Sequence, residues 1–190
     1  MLFLLFTVVG SASVLLDYEE SGVLERLLSS KMTMSQLLYG RWIFITIIGF
    51  AQVFVMFLWG WGVFGIELWT VNHFVGFMIM AVVTAASAAA FGMVFAAAAK
   101  SRVQLHGLST VVILIMSAVG GSMIPRFLMP ETMQKIGLLT FNAWALDGFR
   151  KVFWYQQGPL ALWPQVGVLL GLTVVFLWLS RRLARRWETA

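Results

Sequence analysis

The sequence predicts an all-α polytopic membrane protein, with about five transmembrane helices and short amphipathic helices on either side of them. Three observations carry that prediction. The chain of 190 residues is 61% hydrophobic and only 11% charged, with a mean hydropathy of +0.90. A soluble domain of this size has too little interior to hide so much apolar surface. Several runs approach or exceed the roughly 20 apolar residues that a helical crossing needs. The middles of those runs hold no ionisable side chain.

The first run, residues 1–16, is apolar but lacks a basic leader. Ser11-Ala12-Ser13 gives a faint cleavage-site pattern for a signal peptide. At helical rise its length is about 22 Å, short for a full crossing. It reads as a span whose beginning is missing. A charged island follows. Asp17, Glu19 and Glu20 lead into Val23 and Leu24; Glu25 and Arg26 come next, then Leu27 and Leu28. The two apolar pairs fall four apart and make one stripe on a helix over residues 20–30. Such a helix suits a membrane surface or a groove on a soluble partner. Further spans are expected over residues 42–66, 74–99 (rich in Ala, Gly and Ser), 108–124 (ended by Pro125) and 162–180. Pro164 falls in the first turn of the last, where proline is tolerated.

Basic residues choose the sides. Arg26, Lys31 and Arg41 flank the island; Lys100 and Arg102 link the third and fourth runs; Arg181, Arg182, Arg185 and Arg186 close the chain. With five alternating crossings these clusters share one side, which the positive-inside rule makes cytoplasmic. The C-terminus is then cytoplasmic. Trp59, Trp61, Trp69 and Trp163 fall near the outer interface and Trp42, Trp178 and Trp187 near the inner one. The basic tail is a stop-transfer anchor, with anionic lipid as the alternative ligand. The net charge of +5 serves topology, and no nucleic-acid partner is expected.

An outer segment of two short helices is expected over residues 128–157. Pro130 and Glu131 suit a first turn, and Met133, Ile136 and Leu139 make one apolar face. Asn142 is the expected N-cap of the second helix. There Ala145, Leu146, Phe149, Val152 and Phe153 oppose Asp147, Arg150 and Lys151. Both helices are too short to span. They either re-enter the outer leaflet or lie on it.

Two segments carry a family resemblance. Glu20-Ser21-Gly22-Val23-Leu24-Glu25-Arg26-Leu27-Leu28 resembles the "E-x-G-T-L-E-x-L-L" signature of type-2 ATP-binding-cassette exporter permeases. Gly120-Gly121-Ser122-Met123-Ile124-Pro125, then Met129-Pro130, Leu139-Thr140, Trp144-Ala145 and Gly148-Phe149-Arg150, resembles the same family's "GG-x-x-x-P…MP…LTP…WA-x-x-GFR" block. The resemblance implies six spans in the family, of which this chain supplies the second to the sixth. It implies that the island is a cytoplasmic coupling helix (Glu20, Gly22 to Leu28) docking on an ATPase. It also implies two re-entrant helices before the last span, built on Gly120, Gly121, Pro125, Pro130, Trp144, Asp147, Gly148, Phe149 and Arg150. Val23 departs from the family's Thr, Ser30-Lys31-Met32-Thr33 from its common Thr-Pro-Val-Ser-like turn, and Phe141-Asn142 from a frequent Pro.

The chemistry in the chain is sparse. It has no G-x-x-x-x-G-K-[ST] phosphate loop, so the chain is expected not to be an enzyme, to carry no cofactor and to have ATP bound by a partner subunit. There is no cysteine and no H-E-x-x-H pair; His73 and His106 fall near opposite interfaces, and no metal site is expected. Uncharged spans argue against ion coupling. Gln52 is the most polar group near a midplane, a weak substrate-path candidate and a stronger one for an interhelical hydrogen bond. Gly92-x-x-x-Ala96, Ala85 to Ala90 and Gly167-x-x-x-Gly171 offer packing faces, within the chain or across a dimer seam.

The expected function is the membrane permease of an exporter moving a drug, lipid or glycan. Its partners are a cytoplasmic ATPase, a second permease half and membrane lipid. By resemblance it belongs in the plasma membrane, as in a bacterial or archaeal inner membrane. Leu24, Leu27 and Leu28 are the expected apolar anchors on the ATPase, with Glu20, Glu25 and Arg26 setting register. Asp147 and Arg150 are expected to position the outer pair. The competing class is a non-transport membrane scaffold or a lipid-modifying enzyme.

Overall fold

The computed structural model describes residues 1–30, 32–66 and 69–187. Lys31 of the first basic cluster and Glu188 of the tail therefore lie outside the described residues. Among those described, regular structure is helical throughout. The elements are α1 (Leu2–Ala12), α2 (Val14–Glu20), α3 (Val23–Ser29), α4 (Met34–Phe64), α5 (Val71–Ala98), α6 (Arg102–Val119), α7 (Glu131–Gly137), α8 (Phe141–Phe153) and α9 (Trp163–Ala184). Short 3-10 turns occupy Arg126–Leu128, Pro159–Leu162 and Arg185–Trp187. Five stretches are long and apolar enough to cross a membrane: Leu2–Glu20, Met34–Phe64, Val71–Ala98, Arg102–Val119 and Pro159–Ala184.

Several boundaries differ from the hydropathic runs, each for a local reason. α1 and α2 meet at Ser13, which keeps a right-handed helical backbone (φ −58°, ψ −23°), so the first span runs on to Glu20. α4 starts well before residue 42 because Thr33 and Gln36 form a reciprocal cap. The Gln36 amide donates to Thr33 Oγ1 at 3.3 Å and the Thr33 amide to Gln36 Oε1 at 2.9 Å. α6 ends at Val119 rather than at Pro125. The turn belongs to the glycine pair: Gly121 has φ +94°, a conformation that a side chain resists.

α5 is the hub. α1, α4, α8 and α9 all pack on it, and its residues from Phe77 to Ala97 are almost all buried. Its small residues make this possible. A Cβ on Gly92 would lie 3.0 Å from the carbonyl oxygen of Val8, so α1 crosses α5 at backbone contact. The faces at Ala85 to Ala90 and at Gly92 and Ala96 are therefore occupied within this chain. Gly167 and Gly171, on α9, are exposed and meet no neighbour. α4, α6 and α9 present apolar outer surfaces, including Ile47, Val111, Ile115 and Val174. Hydrocarbon is the solvent that such surfaces fit. Of the tryptophans expected at an interface, Trp187 is instead buried in the core.

Phe91 on α5 packs against Phe176 on α9 at 5.5 Å, and a Cβ on Gly76 would lie 3.5 Å from Leu162, so the two helices run in the same direction. The ends of α5 and α9 thus lie at the end of the bundle that carries α3. The α5 face beside α8 (Gly76, Met80) marks the opposite end.

Candidate functional site

Two places gather the residues singled out by sequence. The first is the α2–α3 corner. Gly22 turns it with φ +66°. Past the turn α3 stays in contact with α2, and this has a consequence for the leucine stripe. Leu24 is only 4% exposed and belongs to the core, while Val23, Leu27 and Leu28 are half-buried. The expectation that Leu24 anchors a partner is corrected: this chain consumes the side chain. What α3 and its approach turn outward is polar, namely Glu20, Ser21, Glu25, Arg26, Ser29 and Ser30. Just behind the corner, Asp17 forms an ion pair with Arg102 at the start of α6. Arg41 on α4 donates to the Ser11 carbonyl and lies 5.1 Å over the ring of Phe44.

The second place is the opposite end. Gly120 closes α6, and a Cβ there would sit 2.7 Å from Thr140 Oγ1 and 3.0 Å from Asn142 Cβ. The two helix ends touch because no side chain intervenes. Thr140, not Asn142, caps α8, its hydroxyl accepting from the Ala143 amide at 3.4 Å. Asn142 lies inside α8, fully buried, and donates from Nδ2 to Ser122 Oγ at 2.6 Å. Pro125 and Pro130 are exposed and precede the Arg126–Leu128 turn and α7. Gly148 faces Met80 on α5, where a Cβ would come within 2.1 Å of Cε. Phe149 stacks on Phe57 of α4 at 5.1 Å, and so does Phe153 at 5.0 Å.

The polar side of α8 is not left to solvent. Gln165 on α9, only 3% exposed, donates to Asp147 Oδ2 at 2.7 Å and accepts from Lys151 Nζ at 3.2 Å. Lys151 also reaches the Ala161 carbonyl at 3.3 Å. Asp147 therefore fastens α8 to the last span, not to α7. Arg150 donates to the Tyr155 hydroxyl at 3.2 Å. The outer segment from the 126–128 turn to α8 is held by other groups. Trp144 Nε1 donates to the Leu138 carbonyl at 2.8 Å. Arg126 donates to the Gln134 carbonyl and Gln134 Nε2 to the Met129 carbonyl, both at 2.9 Å. Sequence reasoning missed Gln165, Arg126 and Gln134. Gln165 carries a readable signal, an amide directly after Pro164 at the entrance of an apolar helix.

α7 is different in kind. Met133, Ile136 and Leu139, its expected apolar face, are all exposed, Leu139 at 85%. α8 buries its own apolar face on this chain; α7 leaves its face for something else. The Gln52 Oε1 is buried and accepts no hydrogen bond among the described residues. His73 is buried at the start of α5 and His106 exposed on α6. Among the described residues no cluster of three His, Cys, Asp or Glu could hold a metal ion.

A family model described as "ABC-2 family transporter protein" matches residues 1–182. None of the curated proteins matches the chain.

Proposed function

Since the chain belongs to the ABC-2 transporter family, and so is a membrane permease component that works with an ATPase partner, we propose that α3 is where that ATPase pushes. On this reading the α3 end is cytoplasmic and the permease exports a drug, lipid or glycan, paired with a second permease half. Arg26, Arg41, Lys100, Arg102, Arg181, Arg182 and Arg185 lie at this end, which supports the orientation.

The observation that carries the reading is the linkage between α3 and the far end. α3 ends at Ser29, and α4 starts at Met34 behind its Thr33–Gln36 cap. α4 is unbroken for 31 residues, about 46 Å, and its Phe57 lies against Phe149 and Phe153 of α8. A push on α3 would thus reach α8 along a single helix. The partner meets a polar surface, Glu20, Glu25 and Arg26, backed by the buried Leu24. Such charges set register and encounter more than affinity. α5 and α9 pack against α8, the cover that a short helix dipping into the outer leaflet would need.

The test is a pull-down from native membrane, probed for a nucleotide-binding subunit, with the wild-type chain and with Glu25→Lys/Arg26→Glu. Capture by the wild type and loss in the double variant, with unchanged thermal unfolding, is expected. Equal capture by both chains would overturn the assignment of α3.

A further inference from the structure

Two cavities meet at the end of the bundle away from α3, and they differ in chemistry. The larger, about 440 Å³, is walled by Phe57, Phe149, Phe153 and Trp154, with His73 and Gln156 adding polar groups. Its size and its mainly apolar, aromatic wall fall within the range of small-molecule sites. The smaller, about 140 Å³, is lined by Arg126, Arg150 and Asp147 beside Gly121 and Pro125. Leu146 and Arg150 line both, so the two cavities adjoin along α8.

The charge balance of the smaller part is uneven. Arg126, Arg150 and Asp147 all line it, two basic residues against one acidic one. That carboxylate is turned to Gln165 on α9, and no ion pair joins it to Arg150 one turn along α8. Arg150 is held by the neutral hydroxyl of Tyr155 and stands 5.8 Å from its ring. Arg126 Nε is buried and meets no acceptor among the described residues. Buried guanidinium N–H groups are costly without an acceptor and pair best with an oxyanion.

We propose that the two cavities together bind a singly charged anionic amphiphile, its oxyanion between Arg126 and Arg150 and its apolar body against the rings of Phe57, Phe149 and Phe153. The site is built from α4, α5, α8 and the turn before α7. It depends on neither the direction of transport nor the identity of the ATPase. Because α4 supplies Phe57, occupancy would bear on the same helix that leaves α3.

The experiment places the full chain in phosphatidylcholine nanodiscs and titrates in dibromostearic acid or its methyl ester, reading saturable quenching of tryptophan fluorescence. Trp154 lies in the wall and is the expected reporter, so Trp154→Phe should remove the saturable component. The acid should saturate, whereas the ester should give only the linear quenching of bilayer partition. Arg150→Gln should weaken the acid about tenfold, the scale of one lost charge-assisted contact. Phe153→Ala should weaken it through the apolar part. Sodium acetate and inorganic phosphate should not compete, since they lack the body. Acid and ester quenching alike, or wild-type affinity in Arg150→Gln, would overturn the site. Arg126→Gln also removes the bond to Gln134 and can disturb α7; Arg150→Gln and the acid–ester comparison decide without it. Failure here leaves the α3 assignment standing, because the pull-down does not involve this cavity.

Discussion

Gln165, on the last span, donates a 2.7 Å hydrogen bond to Asp147 on α8, and its own carbonyl oxygen accepts from Lys151 one turn further along α8. A single buried amide thus bridges two charges of opposite sign and locks a short helix to a long one. Gln165→Leu leaves Asp147 without this donor and Lys151 with only the Ala161 carbonyl. It should lower unfolding stability by about 1–3 kcal/mol. Chemical or thermal unfolding in detergent measures it, and a stability equal to the wild type would show that the bridge has no structural weight.

Small residues divide into two kinds. Gly92→Val forces a side chain against the backbone of Val8, where nothing flexible can yield. A loss of about 1–3 kcal/mol is expected from such overpacking. Gly167→Ala meets open space and should stay within about 0.5 kcal/mol of the wild type. The same unfolding assay compares them; similar losses in both would contradict the packing of α1 on α5.

The start of α4 rests on Thr33. Thr33→Ala removes the acceptor for the Gln36 amide and should cost about 1 kcal/mol, felt locally. Hydrogen exchange at Gln36 should then accelerate by about fivefold, with exchange near Ile45 unchanged. An unaltered rate at Gln36 would place the start of α4 elsewhere.

Leu24 and Arg26 lie two residues apart and should behave as opposites. Leu24→Asp puts a carboxylate into a core position that is 4% exposed, so the chain itself should lose stability and membrane yield. Arg26→Glu changes an exposed side chain and should leave unfolding unchanged while weakening ATPase co-purification. Equal yields for the two variants would mean that Leu24 is not buried in the assembled protein.

The candidate site was legible in parts. The glycine pair at Gly120 and Gly121 and the reciprocal cap Thr33–Gln36 are local patterns, and both are visible as letters, although hydropathy alone draws α4 and α6 to the wrong ends. The cap of α8 was misread. Asn142 and Thr140 are both good cap residues, and only the approach of α6, with Ser122 taking the Asn142 amide, leaves the role to Thr140.

Composition and periodicity alone determined the apolar spans, the charged corner at Glu20 to Arg26 and the separation of basic clusters. Each follows from transfer of side chains between water and hydrocarbon, which is a property of a segment by itself. The burial of Leu24, the helix that Asp147 grips and the cavity that Arg126 and Arg150 both line were decided only by the tertiary structure. Those outcomes depend on contacts between segments far apart in the chain, where a turn at one glycine settles which face of a helix meets its neighbours.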